Sequence, residues 1–135
     1  ASTASALEYA VLAGKKLIDD ALRSNSMIDA QAWRKVNREF HVSLIKGANN
    51  DALTNAFEFN NKVPFSGPFS MTLKMAPSQL ETSFVQRAQK DHEDVLDALL
   101  NRQGSRAEAL MREHAYQSRR NKQQLIEEMR KVQDM

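Results

Sequence analysis

The sequence predicts an all-α fold, and three observations support this prediction. Apolar residues recur three or four positions apart through most of the chain, which is the period of one helix face. No segment shows the alternation of apolar and polar residues that marks a half-buried strand. Glycine and proline are scarce, at four and three residues in 135. We therefore expect residues 1–135 to form a single domain of long helices.

Two helices are predicted in the first third of the chain. The first covers residues 4–23, and its apolar face consists of Leu7, Val11 with Ala10, either Leu17 or Ile18, and Leu22. The second starts after Asp29, whose carboxylate suits the free N–H groups of a helix N-terminus, and it ends at Gly47. The buried face of this second helix consists of Trp33, Val36, Phe40 and Leu44.

The middle of the chain is less regular. A short helix is predicted over residues 51–61, and the segment 63–77 that follows holds all three prolines. Its aromatic residues Phe65 and Phe69 make it too apolar for a free linker. We expect a loop or broken helix that packs on the bundle or on a second subunit.

Two further helices are predicted toward the C-terminus. The first covers residues 79–101, either unbroken or with a break near residue 85, and Gln103 and Gly104 end it. Its apolar stripe consists of Val95, Leu96, Leu99 and Leu100. The residues from Ser105 to Glu108 have the form of a capping box. They predict the start of a last helix that runs to about residue 132.

Composition and charge exclude several classes of protein. The chain has no cysteine, which rules out disulfides and thiolate metal sites. It has no apolar run of about 18 residues and no basic leader, so we expect a cytoplasmic protein without membrane contact. The net charge of +2 is too small to indicate that this chain binds nucleic acid. We expect the basic run at 119–122 to lie on the surface.

The three histidines are the residues best suited to chemistry. Asn37 and His41 are four positions apart beside the buried face of their helix, and apolar neighbours place His92 and His114 inward as well. One interpretation is that each imidazole packs in the core and bonds to a neighbour. The other is a metal site, because imidazole suits Zn, Ni, Cu or Fe. The residue pattern alone leaves both interpretations open.

Three blocks of sequence resemble the FCD domain, the effector-binding half of the FadR-type branch of GntR regulators. Residues 36–41 (Val-Asn-Arg-Glu-Phe-His), with Leu44 and Gly47-Ala-Asn49, resemble its D-x-x-F-H, L and A-G-N signature. Residues 91–99 resemble its E-H-x-x-I-x-x-A-L helix, and residues 107–114 resemble its final helix. The resemblance covers residues 5–125.

This resemblance implies an antiparallel helical bundle with a central cavity, a divalent metal ion and a small carboxylate effector. His41, His92 and His114 match the three histidine ligands of the family, and Asn37 stands where the family has an aspartate. A carboxamide offsets no metal charge, so we expect weakly bound Zn or Ni and a more positive site that favours an anionic ligand. The predicted effector-binding residues are Arg38, Gln117 and Asn121.

The predicted function is that of a ligand-sensing domain in a bacterial transcription regulator, and we expect a homodimer. It would contact DNA only through an N-terminal winged-helix domain, which we expect to be absent here together with the first bundle helix. Lactate, sugar acids, dicarboxylates and acyl compounds all stay open as effectors. The alternatives are a helical dimerisation or interaction module without metal, and a His-ligated metalloenzyme. We do not expect an enzyme, because Glu39, Asp91 and Glu93 are not placed to act as a general base.

Overall fold

The computed structural model of the chain describes residues 2–48 and 78–134. These two ranges contain four α-helices and no strand, which confirms the all-α prediction. The helices are α1 (Ser2–Arg23), α2 (Ala30–Ala48), α3 (Ser78–Leu100) and α4 (Gly104–Gln133). The predicted helix at 51–61 and the segment 63–77 lie outside the described residues. None of the described helices is long and apolar enough to span a membrane.

The helices form two hairpins. In the first hairpin α1 packs along α2, and in the second hairpin α3 packs along α4. A short turn joins the two helices of each hairpin, so the helices run antiparallel. Contacts between α1 and α3 join the hairpins. The bundle therefore brings α2, α3 and α4, which carry the three histidines, into one assembly.

In both turns, a residue other than glycine follows the end of the helix in the left-handed conformation. Asn25 follows α1 with a φ of 50°, and Arg102 follows α3 with a φ of 57°. At each end a backbone N–H reaches back five residues, from Ser26 to Ala21 at 2.9 Å and from Gln103 to Ala98 at 2.8 Å. This is the Schellman arrangement, which satisfies carbonyl groups left free at a helix end. The left-handed residue after α3 is thus Arg102, which directly precedes the predicted end signal of Gln103 and Gly104.

The capping box predicted at Ser105–Glu108 is wrong. Helix α4 already begins at Gly104, and its N-cap residue Gln103 makes no side-chain capping bond. The side chain of Gln103 accepts instead from Arg106, at 3.0 Å. Glu108 pairs with Arg112 one turn later, at 2.6 Å. Because the tight turn after α3 starts the helix early, Ser105 lies inside the first turn, where it cannot act as the N-cap.

Two other expectations about the helices have clear outcomes. Asp29 caps α2 as predicted, because its Oδ1 accepts from the N–H groups of Gln31 and Ala32 at 3.0 and 3.1 Å. The alternative of a break near residue 85 is wrong, since α3 is continuous there. Val85 is buried in a cluster with Trp33, and this packing favours an unbroken helix.

The core consists of two apolar clusters. The main cluster takes residues from all four helices: Leu7, Ala10, Val11, Phe40, Leu44, Val95, Ala98, Ala107 and Met111. The second lies near the α1–α2 turn: Ile18, Ala21, Ile28, Trp33 and Val85. Leu22 and Leu100, which the sequence pattern placed inside, are exposed because Ala21 and Leu99 take the inward positions at these helix ends.

Helices α1 and α3 approach closely where Gly14 faces Gln89. The buried Gln89 donates through Nε2 to the carbonyl of Val11, at 2.8 Å. A Cβ built on Gly14 would overlap Gln89 Oε1 and lie 3.1 Å from Cζ3 of Trp33. No side chain larger than a hydrogen atom fits at residue 14 unless Gln89 moves.

We expect Gly14→Ala to destabilise the protein by up to about 2 kcal/mol. Alanine gains roughly 1 kcal/mol of helix propensity, but displacing Gln89 breaks a buried hydrogen bond worth about 1–3 kcal/mol with its desolvation. In a Gln89→Ala background the same change should stabilise the protein, because the overlap is gone and the propensity gain is left. Urea unfolding of the four proteins in a double-mutant cycle measures this reversal. Equal effects of Gly14→Ala in both backgrounds would contradict it.

Candidate metal centre

Three buried imidazoles converge from three helices. His41 of α2, His92 of α3 and His114 of α4 are 6%, 1% and 4% exposed. Each offers a ring nitrogen, and these nitrogens lie within 4.8 Å of one another. The ring centroids are 5.1–5.3 Å apart. The structure thus brings together the three histidines that the sequence singled out, and the two hairpins share the cluster.

His92 is the most enclosed member of the cluster. Its ring stacks on Phe40 with the centroids 4.0 Å apart, and it is nearly parallel to Trp33 at 6.0 Å. Its Nε2 atom is buried and finds no hydrogen-bond partner among the described residues. An unsatisfied buried nitrogen costs about 1–3 kcal/mol. A ligand bound to this nitrogen would remove that cost.

Electrostatics keep two of the rings neutral. Burial lowers the pKa of His41 to about 3, with further lowering by His114 and by the charge of Lys122. Burial also lowers the pKa of His92 well below its usual range, with His41 and His114 adding to the effect. Neutral imidazoles hold a free lone pair, which is the form that binds a metal ion. His41 and His92 are therefore in the form that can bind a metal ion at neutral pH.

Asp91 orients the third histidine. Its Oδ2 lies 2.9 Å from His114 Nδ1, and its Oδ1 lies 3.4 Å from Nε of Arg87. A carboxylate that accepts the proton of one ring nitrogen directs the lone pair of the other outward. The sequence pattern excludes Asp91 only as a general base and does not predict its pairing with His114. The pairing depends on how α3 and α4 align, which the one-dimensional pattern did not contain.

Lys122 is also buried in this region, at 5% exposure. The expectation that the run 119–122 lies on the surface is wrong for this residue. A long side chain on a helix points back toward the N-terminus, and for Lys122 that is the direction of His114. Its charge acts on His41, and burial lowers the pKa of its amine to about 8. The ammonium is therefore still mainly protonated at pH 7.

The cluster fits a divalent metal ion. With Zn–N bonds of about 2.1 Å, two imidazole nitrogens on one tetrahedral ion lie roughly 3.4 Å apart, so the rings need to close by at most about 1.4 Å. The unpartnered Nε2 of His92 would gain a bond in this way. Asn37 is half-buried on α2, one turn before His41. Three neutral nitrogen donors would leave the charge of the ion uncompensated.

The predicted effector-binding residues have different environments. Arg38 is exposed on α2, whereas Gln117 and Asn121 are half-buried on α4. Gln117 donates to Glu113 on the preceding turn, at 2.9 Å. An open groove of about 410 Å³ lies near the α1–α2 turn, where Met27, Ile28 and Thr82 are among its lining residues. None of the predicted site residues lines this groove.

Comparison with known proteins gives one match. A family model described as the FCD domain matches residues 5–117 of the chain. This range covers most of α1, all of α2 and α3 and the first half of α4, and it includes all three histidines. Searches of curated proteins and of solved structures find no match.

Proposed function

The chain belongs to the FCD domain family, and from this premise we propose that it senses a small anionic effector through a divalent metal centre. The domain would serve a GntR-family regulator of the FadR type in the cytoplasm. There it would act as a homodimer that contacts DNA through an attached winged-helix domain. FCD membership supports the regulatory role, because such domains are the effector-binding part of transcription regulators. The histidine cluster supports the metal centre.

The observation that carries the metal proposal is the unpartnered Nε2 of His92 inside a cluster of three imidazoles. A core histidine that only packs would be expected to have its polar atoms satisfied. Here the face of the ring is covered by Phe40, while one of its ring nitrogens lies within 4.8 Å of ring nitrogens of His41 and His114. A metal ion explains both features with one interaction.

Each residue then has a defined role. His41, His92 and His114 would hold the ion, and Asn37 would supply a weak fourth oxygen without charge. Asp91 would fix the orientation of His114. The ion would offer an open coordination position to an anionic oxygen of the effector. Arg38, Gln117 and Asn121 are the proposed contacts to the rest of that molecule.

The proposal is tested by adding Zn²⁺ or Ni²⁺ to chelator-treated protein. We expect one ion per chain by calorimetry. We also expect about 2.7 kcal/mol of added stability at a hundredfold excess over Kd, which is roughly a 10 °C rise in Tm. His41→Asn should abolish both effects, and Asn37→Asp should tighten binding because it returns a negative charge to the site.

The control is Lys35→Gln, which changes an exposed residue of the same helix and should bind metal like the parent protein. Circular dichroism of each variant shows that the helices are intact. If the parent protein takes up neither ion, or if His41→Asn binds as tightly as the parent, the metal centre is excluded. The chain would then fit a helical interaction module.

Asp91→Asn should weaken metal binding by about 10–100-fold, the usual effect of losing an outer carboxylate that orients a histidine ligand. The reason is that Asn lacks the negative charge that holds the proton on Nδ1 of His114. The matched control is Asp94→Asn, on the same helix, where the carboxylate pairs with Lys90 at 3.2 Å. Equal Kd values for the two variants in competition with a metal-binding dye would show that Asp91 has no part in the site.

A further inference from the structure

Trp33 is the only tryptophan in the chain, and its indole reaches from α2 to the face of His92 on α3. The planes of the two rings differ by only 11°, and their centroids lie 6.0 Å apart. This is the offset parallel arrangement that aromatic rings favour. An indole is a hydrogen-bond donor only and has no lone pair for a metal ion. Any role of Trp33 at the metal centre must therefore act through His92.

Phe40 covers the opposite face of the His92 ring. Trp33 and Phe40 are seven residues apart on α2, so their backbones are separated by about 10.5 Å along the helix. The centroid distances from His92, 6.0 Å to Trp33 and 4.0 Å to Phe40, together nearly equal this separation. Both aromatic rings lie within 14° of the plane of the imidazole. The imidazole is therefore enclosed between them, with one ring on each face.

Gly14 of α1 leaves the space that this position of the indole requires. A Cβ built on Gly14 would lie 3.1 Å from Cζ3 of Trp33, so the edge of the indole packs against the backbone of α1. Trp33 also belongs to the second apolar cluster, together with Ile28 and Val85. Because α1 and this cluster pack around it, the indole has a fixed position against His92.

A ring that is covered on both faces cannot turn about its Cβ–Cγ bond without displacing a neighbour. Such a turn would swing the Nε2 atom of His92, which is buried and unpartnered among the described residues, out of its present plane. One ring nitrogen of His92 lies within 4.8 Å of ring nitrogens of His41 and His114. A ligand group that packing already holds in place loses less freedom on binding, which raises affinity.

We propose that Trp33 is a positioning residue of the metal centre. With Phe40 it holds the imidazole of His92 in the orientation in which that ring can share an ion with the other two histidines. This inference rests on the proposed metal-dependent function and adds to it a residue that contacts neither the ion nor the effector. A residue that only packs stabilises the fold, whereas a positioning residue also sets the affinity for the ion. The two effects can be measured separately.

The test compares the Zn²⁺ affinity and the stability of three variants of the chelator-treated protein. Trp33→Leu keeps apolar bulk but offers no flat ring, and it should weaken Zn²⁺ binding by about tenfold or more, as the loss of a group that orients a ligand does. Trp33→Phe restores a ring and should keep most of the affinity. The control is Ile28→Ala, which truncates a buried residue of the same cluster. It should lower the stability in urea but leave the Kd for Zn²⁺ unchanged.

Co²⁺ in place of Zn²⁺ provides a spectroscopic signature of the site. Its visible absorption depends on the arrangement of the ligands, so the spectrum should change in Trp33→Leu and match the parent spectrum in Ile28→Ala. Because Trp33 is the only tryptophan, its fluorescence in the parent protein reports on this site alone. Bound Co²⁺ should quench that fluorescence, and a signal that Co²⁺ leaves unchanged would contradict an ion beside His92.

The outcomes separate this inference from the proposed function. If Zn²⁺ does not bind to the parent protein, the metal centre itself is excluded and the inference falls with it. If Zn²⁺ binds but Trp33→Leu has the Kd and the Co²⁺ spectrum of the parent, Trp33 only packs, and the inference alone fails. It also fails if Ile28→Ala weakens binding as much as Trp33→Leu, because the loss then follows from stability. Circular dichroism shows that each variant is folded at the temperature of the titration.

Discussion

Acidification of the metal-free protein from pH 6.5 to pH 4 should lower its free energy of unfolding by several kcal/mol. In the folded protein burial holds the pKa of His41 at about 3 and that of His92 well below its usual range. In the unfolded chain both pKa values return to about 6.5. The unfolded state therefore binds more protons than the folded state. The free energy of unfolding falls as the pH drops below about 6.5.

The size of this effect follows from the number of protons. Each histidine that stays neutral only in the folded state contributes a slope of about 1.4 kcal/mol per pH unit. Two of them give nearly 3 kcal/mol per unit, which is large against a typical total stability of about 5–15 kcal/mol. Urea unfolding at a series of pH values measures the slope. Carboxylates add their own slope below about pH 5, so the interval from 6.5 to 5 is the informative one.

A double variant, His41→Gln with His92→Gln, provides the comparison. It has no imidazole at either position, so its stability should change much less between pH 6.5 and pH 5. If the parent and the double variant show the same slope in that interval, the two histidines are not the source of the pH dependence. Zn²⁺ added to the parent protein should steepen the loss on acidification, because protons compete with the ion for the same lone pairs.

Phe40→Ala should be the most destabilising single truncation among the aromatic residues discussed here, at about 3–5 kcal/mol. Phe40 is fully buried and belongs to the main cluster with Leu7 and Val95. Its ring also stacks on His92 at 4.0 Å. Its removal leaves a cavity and frees the His92 ring to turn, so metal affinity should fall together with stability.

Chemical denaturation and Zn²⁺ titration of the same variant measure the two effects. Tyr9→Ala serves as the control, because Tyr9 is 70% exposed and its truncation should change stability by less than about 0.5 kcal/mol. Phe40→Leu refills most of the cavity and should recover much of the stability, but it offers no ring to stack on His92. Similar stabilities for Phe40→Ala and Tyr9→Ala would show that Phe40 is not a central core residue.

The regular parts of the fold could be predicted from the sequence because helical periodicity is a local signal. The stripe that ends at Phe40 and Leu44 is buried as expected, and Asp29 caps α2. The end of α3 lies at Leu100, within a residue of the predicted end, but the left-handed residue after it was not predicted. There the chain uses Arg102 in a left-handed conformation that usually favours glycine or asparagine. Such a position cannot be read from residue preferences, because it is an exception to them.

The candidate site was only partly predictable. Inward-facing positions identified His41, His92 and His114. The family resemblance then predicted that these three histidines share one metal site. The match of the FCD model to residues 5–117 confirms that resemblance. The pairing of Asp91 with His114 and the burial of Lys122 escaped notice because both depend on how the helices pack. A carboxylate one residue before His92 and a lysine in a basic run look like solvated groups until the alignment of α3 and α4 is known.

The division of the cluster between two hairpins also has a kinetic consequence. Each hairpin joins neighbours in sequence and can form early, whereas about fifty residues separate His41 from His92, so their contact closes a long loop and should form late. Interactions that are absent from the transition state affect the rate of unfolding far more than the rate of folding. A ligand held at the junction of the hairpins should therefore lengthen the lifetime of the folded domain and leave its folding rate almost unchanged.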